Sequence, residues 1–112
     1  MKPGDIHWVE IPAANGHEQS GLRPAIILQS EHITRKLTTV QIVPLTSRMK
    51  ARRFPLTLVI EPDTFNRLSA RSIALVFQLR AIDRRRLKSR LGTVNAEQLA
   101  RLKVFVRELF EL

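Results

Sequence analysis

Apolar and polar positions alternate with a period of two along much of the chain, and the period changes near the C-terminus. The alternation, together with short β-branched runs, predicts five strands. Pro12 ends the first strand, because proline cannot donate to a strand ladder. The predicted strands cover residues 4–11, 24–29, 38–45, 54–60 and 72–77.

The end of the chain has the pattern of an amphipathic helix. Asn95 is followed three positions later by Gln98, the arrangement of a capping box. Apolar residues then recur at intervals of three and four, which places them on one helical face. These residues are Leu99, Leu102, Val106, Leu109 and Phe110. A shorter helix is predicted from Asp83, with an acid at its N-terminus, to near Gly92.

Five strands separated by turn signals and followed by a helix predict a mainly β fold with some α. We expect a small antiparallel barrel or sheet with the C-terminal helix laid on it. The chain has 112 residues, so residues 1–112 are predicted to form a single domain. No segment recurs and no Gly/Ser-rich linker divides the chain.

Composition excludes several classes of protein. The chain has no cysteine, which rules out a disulfide framework and argues against a structural zinc site. No apolar run has the length of a bilayer span, and nothing resembles a signal peptide. We therefore expect a soluble cytoplasmic protein that does not enter a membrane.

Charge narrows the choice of partner. The chain carries 19 basic and 10 acidic residues, for a net charge of +9. Residues 48–90 hold twelve of the basic residues and three of the acidic ones, so the whole excess lies there. Such a field attracts a polyanion, which can be a nucleic acid, an acidic protein segment or both. The alternative is a solvated basic surface that serves solubility.

The candidate chemistry is concentrated in one polar segment, residues 16–24. A proton acceptor, a carboxylate and a guanidinium lie within it as His17, Glu18 and Arg23. Arg23 precedes Pro24 and an apolar strand, so we expect extended backbone there. A polar hairpin loop without function fits the composition equally well.

Three motifs resemble the MazF/PemK (Kid) toxins of bacterial toxin–antitoxin pairs. They are Gly-Asp-Ile-x-Trp-Val at 4–9, Gly-His-Glu-Gln-x-Gly-x-Arg-Pro at 16–24 and Val-Pro-Leu-Thr-Ser at 43–47. A Gln-x-Arg-x-Ile-Asp segment at 78–83 continues the likeness. The resemblance implies an antiparallel sheet closed like an SH3-like barrel, of the MazF/CcdB/Kid type. It also implies a homodimer that cuts single-stranded RNA with no metal or other cofactor.

The same resemblance points to a catalytic set. The guanidinium of Arg23 suits a pentavalent phosphorane, because its donors match phosphate oxygens and it stays charged. Thr46 resembles the family's second catalytic position and would hold or protonate a phosphate oxygen. His17 and Glu18 are both candidate bases, and the sequence leaves their individual roles open.

RNA-binding residues are expected around this set. The basic side chains after Thr46 would grip the RNA backbone, while polar side chains reach base edges and an aromatic ring stacks. The predicted residues are Gln19, Ser20, Ser47, Arg48, Lys50, Arg52, Arg53, Phe77, Gln78 and Arg80. The same groove should also attract an acidic antitoxin segment that folds on binding.

Two positions depart from the family pattern. Phe77 stands where many relatives carry an acid, and Ala81 stands where threonine is usual. Since Arg23 and Thr46 are present, we favour an effect of Phe77 on base recognition. Two other readings stay open: a CcdB-like gyrase poison on the same fold, and a catalytically inactive domain that binds RNA or a protein partner.

Overall fold

Seven strands and two helices make up the computed structural model, which describes residues 1–12 and 21–112. Their order along the chain is β1 (Asp5–Ile11), β2 (Gly21–Ile27), α1 (Glu31–Thr34), β3 (Thr39–Thr46), β4 (Thr57–Ile60), β5 (Ser72–Leu75), β6 (Arg80–Asp83), β7 (Leu87–Thr93) and α2 (Ala96–Phe110). Short 3₁₀ turns occupy Met49–Arg53, Val76–Gln78 and Arg84–Arg86.

The strands form an antiparallel sheet in the order β4-β5-β3-β2-β1-β7. β3 is its centre: one edge of β3 pairs with β2, and the other edge pairs with β5 and then β6. Within residues 1–12 and 21–112 no ladder joins β4 to β7. The expected antiparallel sheet with a C-terminal helix is therefore confirmed, but this sheet is not closed into a barrel.

Two apolar clusters lie on the sheet because strand residues point alternately to opposite sides. One contains Ile6, Ile26 and Val43, and Leu102 of α2 belongs to it with no exposed surface. Burying a leucine side chain in this way is worth about 1.5–3 kcal/mol. The other cluster contains Ala25 and Ile42. The two clusters bury side chains on both faces of β1, β2 and β3, and so hold in place the residues at the ends of these strands.

Helix α2 begins as its sequence predicts. The Asn95 side chain accepts a hydrogen bond from the Gln98 N–H at 2.7 Å, and Gln98 Oε1 accepts one from the Asn95 N–H at 3.0 Å. This reciprocal pair satisfies two N–H groups that a helix N-terminus otherwise leaves free. The helix ends at Phe110, and Glu111, which caps it, has a left-handed backbone with φ 56°.

The predicted helix from Asp83 to near Gly92 is wrong. Asp83 does cap a turn, since its carboxylate accepts from the Arg85 N–H, but that turn is a single 3₁₀ turn. The chain then continues as β7, which pairs with β1. Gly92 is a point of close approach and not a helix end: a Cβ there would lie 2.3 Å from the carbonyl oxygen of Phe65.

Candidate active site

The antiparallel register of β2 and β3, extended beyond the residues that pair, sets Arg23 against Thr46. Ala25 pairs with Pro44, and continuing the register by two positions places Arg23 opposite Thr46. The ladder stops next to Pro24, which has no N–H to donate. On its other side Arg23 pairs with Val9 of β1, so its backbone is extended as expected.

Arg23 and Thr46 both line a cavity of about 350 Å³, here called the arginine cavity. Arg23 is half-buried, whereas Thr46 is only 2% exposed. Ser47, the next residue along, lines the cavity as well. The structure thus brings together three of the predicted site residues, from two neighbouring strands.

Thr46 holds a defined orientation at the end of β3. Its Oγ1 accepts a hydrogen bond from the backbone N–H of Arg48 at 3.2 Å. A hydroxyl has one proton to donate in addition to the lone pairs with which it accepts. The bond from Arg48 therefore leaves the Thr46 proton available for an oxygen of a bound molecule.

A second cavity, of about 510 Å³, begins at the same threonine. The 3₁₀ turn that follows β3 lines it, and three of the lining residues are cations: Arg48, Lys50 and Arg53. We call it the basic cavity. Because Thr46 lines both cavities, the cationic turn continues directly from the cavity that contains Arg23.

Aromatic rings flank the basic cavity. Phe54 lines it, and the Phe77 ring lies 5.3 Å from the Phe54 ring, tilted by 47°. The Arg53 guanidinium carbon lies 5.0 Å from the Phe54 ring centre, in cation–π geometry. Phe77 thus lies beside the predicted RNA-binding turn although it is distant from it in sequence.

Other predicted residues lie apart from both cavities. Arg80 pairs with Ile42, four positions along β3 from Thr46, which is about 13 Å at the usual rise of a strand. Arg52 belongs to the basic turn but lines neither cavity, and Gln78 follows Phe77 in its own 3₁₀ turn. His17, Glu18, Gln19 and Ser20 lie outside the described residues.

The arginine cavity also contains residues that were not among the predicted site residues. Arg67 and Ser69 line it from the segment between β4 and β5, and Trp8 lines it from β1. These residues come from parts of the chain far from Arg23, so no local motif connects them. The available signals were membership of Arg67 in the basic segment 48–90 and of Trp8 in the motif at 4–9.

Ion pairs sort the cations of segment 48–90 into two groups. Some are bonded to carboxylates, and these are Arg71 with Glu61, Arg85 with Asp83, Lys88 with Glu10 and Arg90 with Asp5. Four cations of this segment line the arginine or the basic cavity, and in the described part of the chain none of them forms an ion pair. They are Arg48, Lys50, Arg53 and Arg67. Arg52, Arg80, Arg84 and Arg86 also make no ion pair within the described residues, so the cavity cations are half of the eight unpaired cations of this segment.

Among the described acids, Asp83 has a clearly lowered pKa; it lies away from both cavities, and the cause is structural. Hydrogen bonds from the Arg85 side chain, and then from its backbone N–H, lower the pKa of Asp83 from 3.8 to about 2. The same partner raises the pKa of Arg85. This pair borders β6 and belongs to the turn that Asp83 caps. In residues 1–12 and 21–112, His, Asp and Glu side chains form no cluster suited to a metal ion.

Comparison with known proteins identifies the family. A family model described as PemK-like, MazF-like toxin of type II toxin–antitoxin system matches residues 2–110. The chain belongs to this family. It is 31% identical over 99 residues to the protein named Endoribonuclease MazF of Staphylococcus saprophyticus, a match that covers 88% of this chain and 82% of that protein.

Solved structures of the same family share the fold. A crystal structure of MazF from Deinococcus radiodurans superposes with a TM-score of 0.84 at 26% identity, over all of this chain and 97% of that one. A MazE-MazF structure from the same organism gives a TM-score of 0.76 at 25% identity, over all of this chain and 96% of that one. In the described parts of the chain no helix has the length and apolar character to cross a membrane.

Proposed function

We propose that this family member is a toxin that cuts single-stranded messenger RNA as a metal-independent endoribonuclease and so inhibits translation and growth. The observation that carries the proposal is that Arg23 and Thr46 line one cavity from neighbouring strands. Membership of the MazF-like toxins supports it, and so does the endoribonuclease name of the staphylococcal relative. No resident cofactor is needed for the chemistry that follows.

The substrate supplies its own nucleophile in this reaction. The ribose 2′-oxygen attacks the adjacent phosphorus, its proton passes to a base, and the 5′-oxygen of the next nucleotide leaves and takes up a proton. The products are a 2′,3′-cyclic phosphate and a 5′-hydroxyl. The enzyme must therefore provide a base, an acid and positive donors for the phosphorane.

Arg23 is assigned to the phosphorane. Its half-buried guanidinium is always charged and presents a planar fork of donors to phosphate oxygens. Thr46 supplies one further donor, because the Arg48 N–H occupies an acceptor site of its hydroxyl and not its proton. His17 and Glu18 remain the proposed bases, and the proposal does not divide the roles between them.

The basic cavity is assigned to the RNA strand beside the cleaved bond. Arg48, Lys50 and Arg53 would neutralise its phosphates, and the exposed Phe54 with its neighbour Phe77 offers faces on which bases stack. Stacking is tolerant of base identity, so Gln19, Ser20, Ser47 and Gln78 are the proposed readers of base edges. Arg52 and Arg80, away from both cavities, are proposed as outer contacts to the strand.

Partners follow from the same features. An acidic antitoxin is proposed to bind these cations, in keeping with the solved structure of an endoribonuclease from Mycobacterial species in complex with its cognate antitoxin. The active form is proposed to be a homodimer that acts in the cytoplasm, where messenger RNA is translated.

The test is cleavage of RNA in the presence of EDTA. Purified protein should cut a long single-stranded RNA at few positions and leave cyclic phosphate ends. Arg23→Ala should slow cleavage by about two to three decades, the usual cost of losing a donor to the transition state. The control is Arg101→Ala, which removes an exposed cation on α2; this variant should cut RNA at the wild-type rate.

Three outcomes of this test would count against the proposal. Intact RNA in the wild-type reaction would remove it, and RNA binding without cleavage would favour an inactive binding domain. In induced cells, DNA damage with intact RNA would favour a gyrase poison. Sequencing the cut ends would give the recognition sequence.

A further inference from the structure

The segment between β4 and β5 folds into a tightly bonded turn around Asp63 and Asn66. The Asp63 carboxylate accepts hydrogen bonds from the N–H groups of Phe65 and Asn66 at 2.8 and 2.7 Å. Asn66 has no exposed surface; its Oδ1 accepts from the N–H groups of Asp63 and Leu68, both at 3.0 Å, and its Nδ2 donates to the Glu61 carbonyl. These bonds fix the backbone on both sides of Arg67.

Arg67 has a left-handed backbone, with φ 56°. This region is unfavourable for a residue with a Cβ and is occupied most readily by glycine. Arginine therefore carries a conformational cost here that glycine would avoid. Strain of this kind persists where the surrounding structure determines it, and it is concentrated at functional sites.

The turn aims Arg67 at the arginine cavity. Arg67 and Arg23 both line it, together with the hydroxyl-bearing Thr46 and Ser47. None of the described lining residues is an acid. Within the described chain, the Arg67 guanidinium takes part in no ion pair, although the neighbouring Arg71 is bonded to Glu61 at 2.9 Å. The cavity thus presents cations and hydroxyls, a donor set suited to phosphate.

We propose that Arg67 is a second phosphate-binding residue of this cavity and holds a phosphate next to the one that is cleaved. The inference rests on the proposed ribonuclease function and adds a substrate contact to it. Arg67 is exposed at the rim, whereas Arg23 is half-buried in β2. Arg67 therefore binds substrate and transition state alike, which sets KM and leaves kcat almost unchanged.

Because the backbone of Arg67 is left-handed, glycine can replace this residue without destabilising the fold. Arg67→Gly removes the guanidinium and also relieves the left-handed strain, so the variant should unfold at the same or a higher temperature. Its KM for RNA should rise about tenfold with kcat within about twofold, and the slope of log affinity against log salt should fall by about 0.7, the value for one phosphate contact on a single strand. Arg67→Lys keeps the charge and should lie between Arg67→Gly and the wild type.

The matched control is Arg71→Ala, which removes an exposed cation of the same segment that lines neither cavity. It should leave KM and the salt slope unchanged. A stably folded Arg67→Gly with the KM and salt slope of the wild type would overturn the proposal. So would an equal effect of Arg71→Ala, because the contribution would then be general charge and not this position.

Binding separates this inference from the ribonuclease function on which it rests. A labelled mixed-sequence RNA with 2′-O-methyl groups cannot supply the 2′-nucleophile, so fluorescence anisotropy measures its affinity without cleavage. If the wild type cuts no RNA, the ribonuclease proposal fails, while weaker binding by Arg67→Gly still supports the phosphate contact. If the wild type cuts RNA and both proteins bind this probe equally, only the Arg67 proposal fails.

Discussion

Gly92 of β7 lies directly against the backbone carbonyl of Phe65, two residues before Arg67. A Cβ built on Gly92 would lie 2.3 Å from that oxygen and 2.5 Å from the carbonyl oxygen of Asn66. The N–H of Thr93 donates to the same Phe65 carbonyl at 3.0 Å. A glycine in β7 thus allows the turn before Arg67 to rest on the sheet.

Gly92→Ala should be strongly destabilising. The atoms that the new methyl group meets belong to backbone, which cannot rotate away, so we expect a loss of about 3 kcal/mol or more in the free energy of unfolding. Gly21→Ala is the control: Gly21 has φ 86°, but none of the described residues comes within 4 Å of the added Cβ, so its cost should be about 1–2 kcal/mol, from the backbone. Urea denaturation of both variants measures the difference, and equal losses would show that the contact at Gly92 relaxes.

Thr46→Val should slow catalysis while keeping the shape of the side chain. Valine has no hydroxyl, so the proton offered to the phosphate is lost and the Arg48 N–H loses its acceptor. We expect kcat to fall by about two decades. Thr46→Ser retains the hydroxyl and should stay within about tenfold of the wild type. Single-turnover cleavage with thermal unfolding as a check on folding tests this, and equal rates for the valine and serine variants would exclude the hydroxyl from the reaction.

Arg53→Ala and Arg52→Ala form a matched pair in the basic turn. Both arginines are exposed, but only Arg53 lines the basic cavity and lies over the Phe54 ring. Arg53→Ala should weaken RNA binding more and lower the salt slope by about 0.7, whereas Arg52→Ala should change the slope less. Anisotropy titrations over a range of salt concentrations measure both. If the slope of log affinity against log salt were the same in the two variants, the RNA strand would not bind preferentially along the basic cavity.

The Asp83 carboxyl should titrate at a pH of about 2, as measured by NMR. Its pKa is lowered in the folded protein, so the stabilisation that it contributes is fully present above its ordinary value of 3.8 and is lost as the pH falls through about 2. Arg85→Ala removes the side-chain bonds but keeps the backbone N–H, so the pKa should rise only part of the way to 3.8. Arg86 contributes less to the lowered pKa of Asp83, so Arg86→Ala should change that pKa less than Arg85→Ala does. A titration at 3.8 in the wild type would contradict the hydrogen-bonded pair.

Five of the seven strands, β1 to β5, and helix α2 were predictable because their signals are local, whereas β6 and β7 were not predicted as strands. Alternation placed β1, and the capping pair of Asn95 and Gln98 placed the start of α2. Residues 83–92 were predicted to be helical because Asp83 has the character of a helix N-terminus and Gly92 that of a helix end. The strand conformation of β7 is decided by pairing with β1, more than 75 residues away in sequence, which no local pattern contains.

The candidate site divides in the same way. Arg23 and Thr46 lie in motifs, and the β2–β3 register then brings them together. Arg67 has no motif, because its position depends on a left-handed backbone, the buried amide of Asn66 and the glycine of β7. Phe77 was singled out from the sequence, but its contact with Phe54 arises only when the turns after β3 and β5 meet.

Thr46 borders both cavities, and this arrangement bears on product release. In the proposed mode of RNA binding, an intact strand that extends across Thr46 gains affinity from both cavities at once, as any bivalent ligand does. Cutting the strand at Thr46 divides that ligand into two monovalent fragments, each retained by one side only. The same geometry that favours capture of a whole message therefore lets both fragments dissociate and frees the enzyme for another turnover.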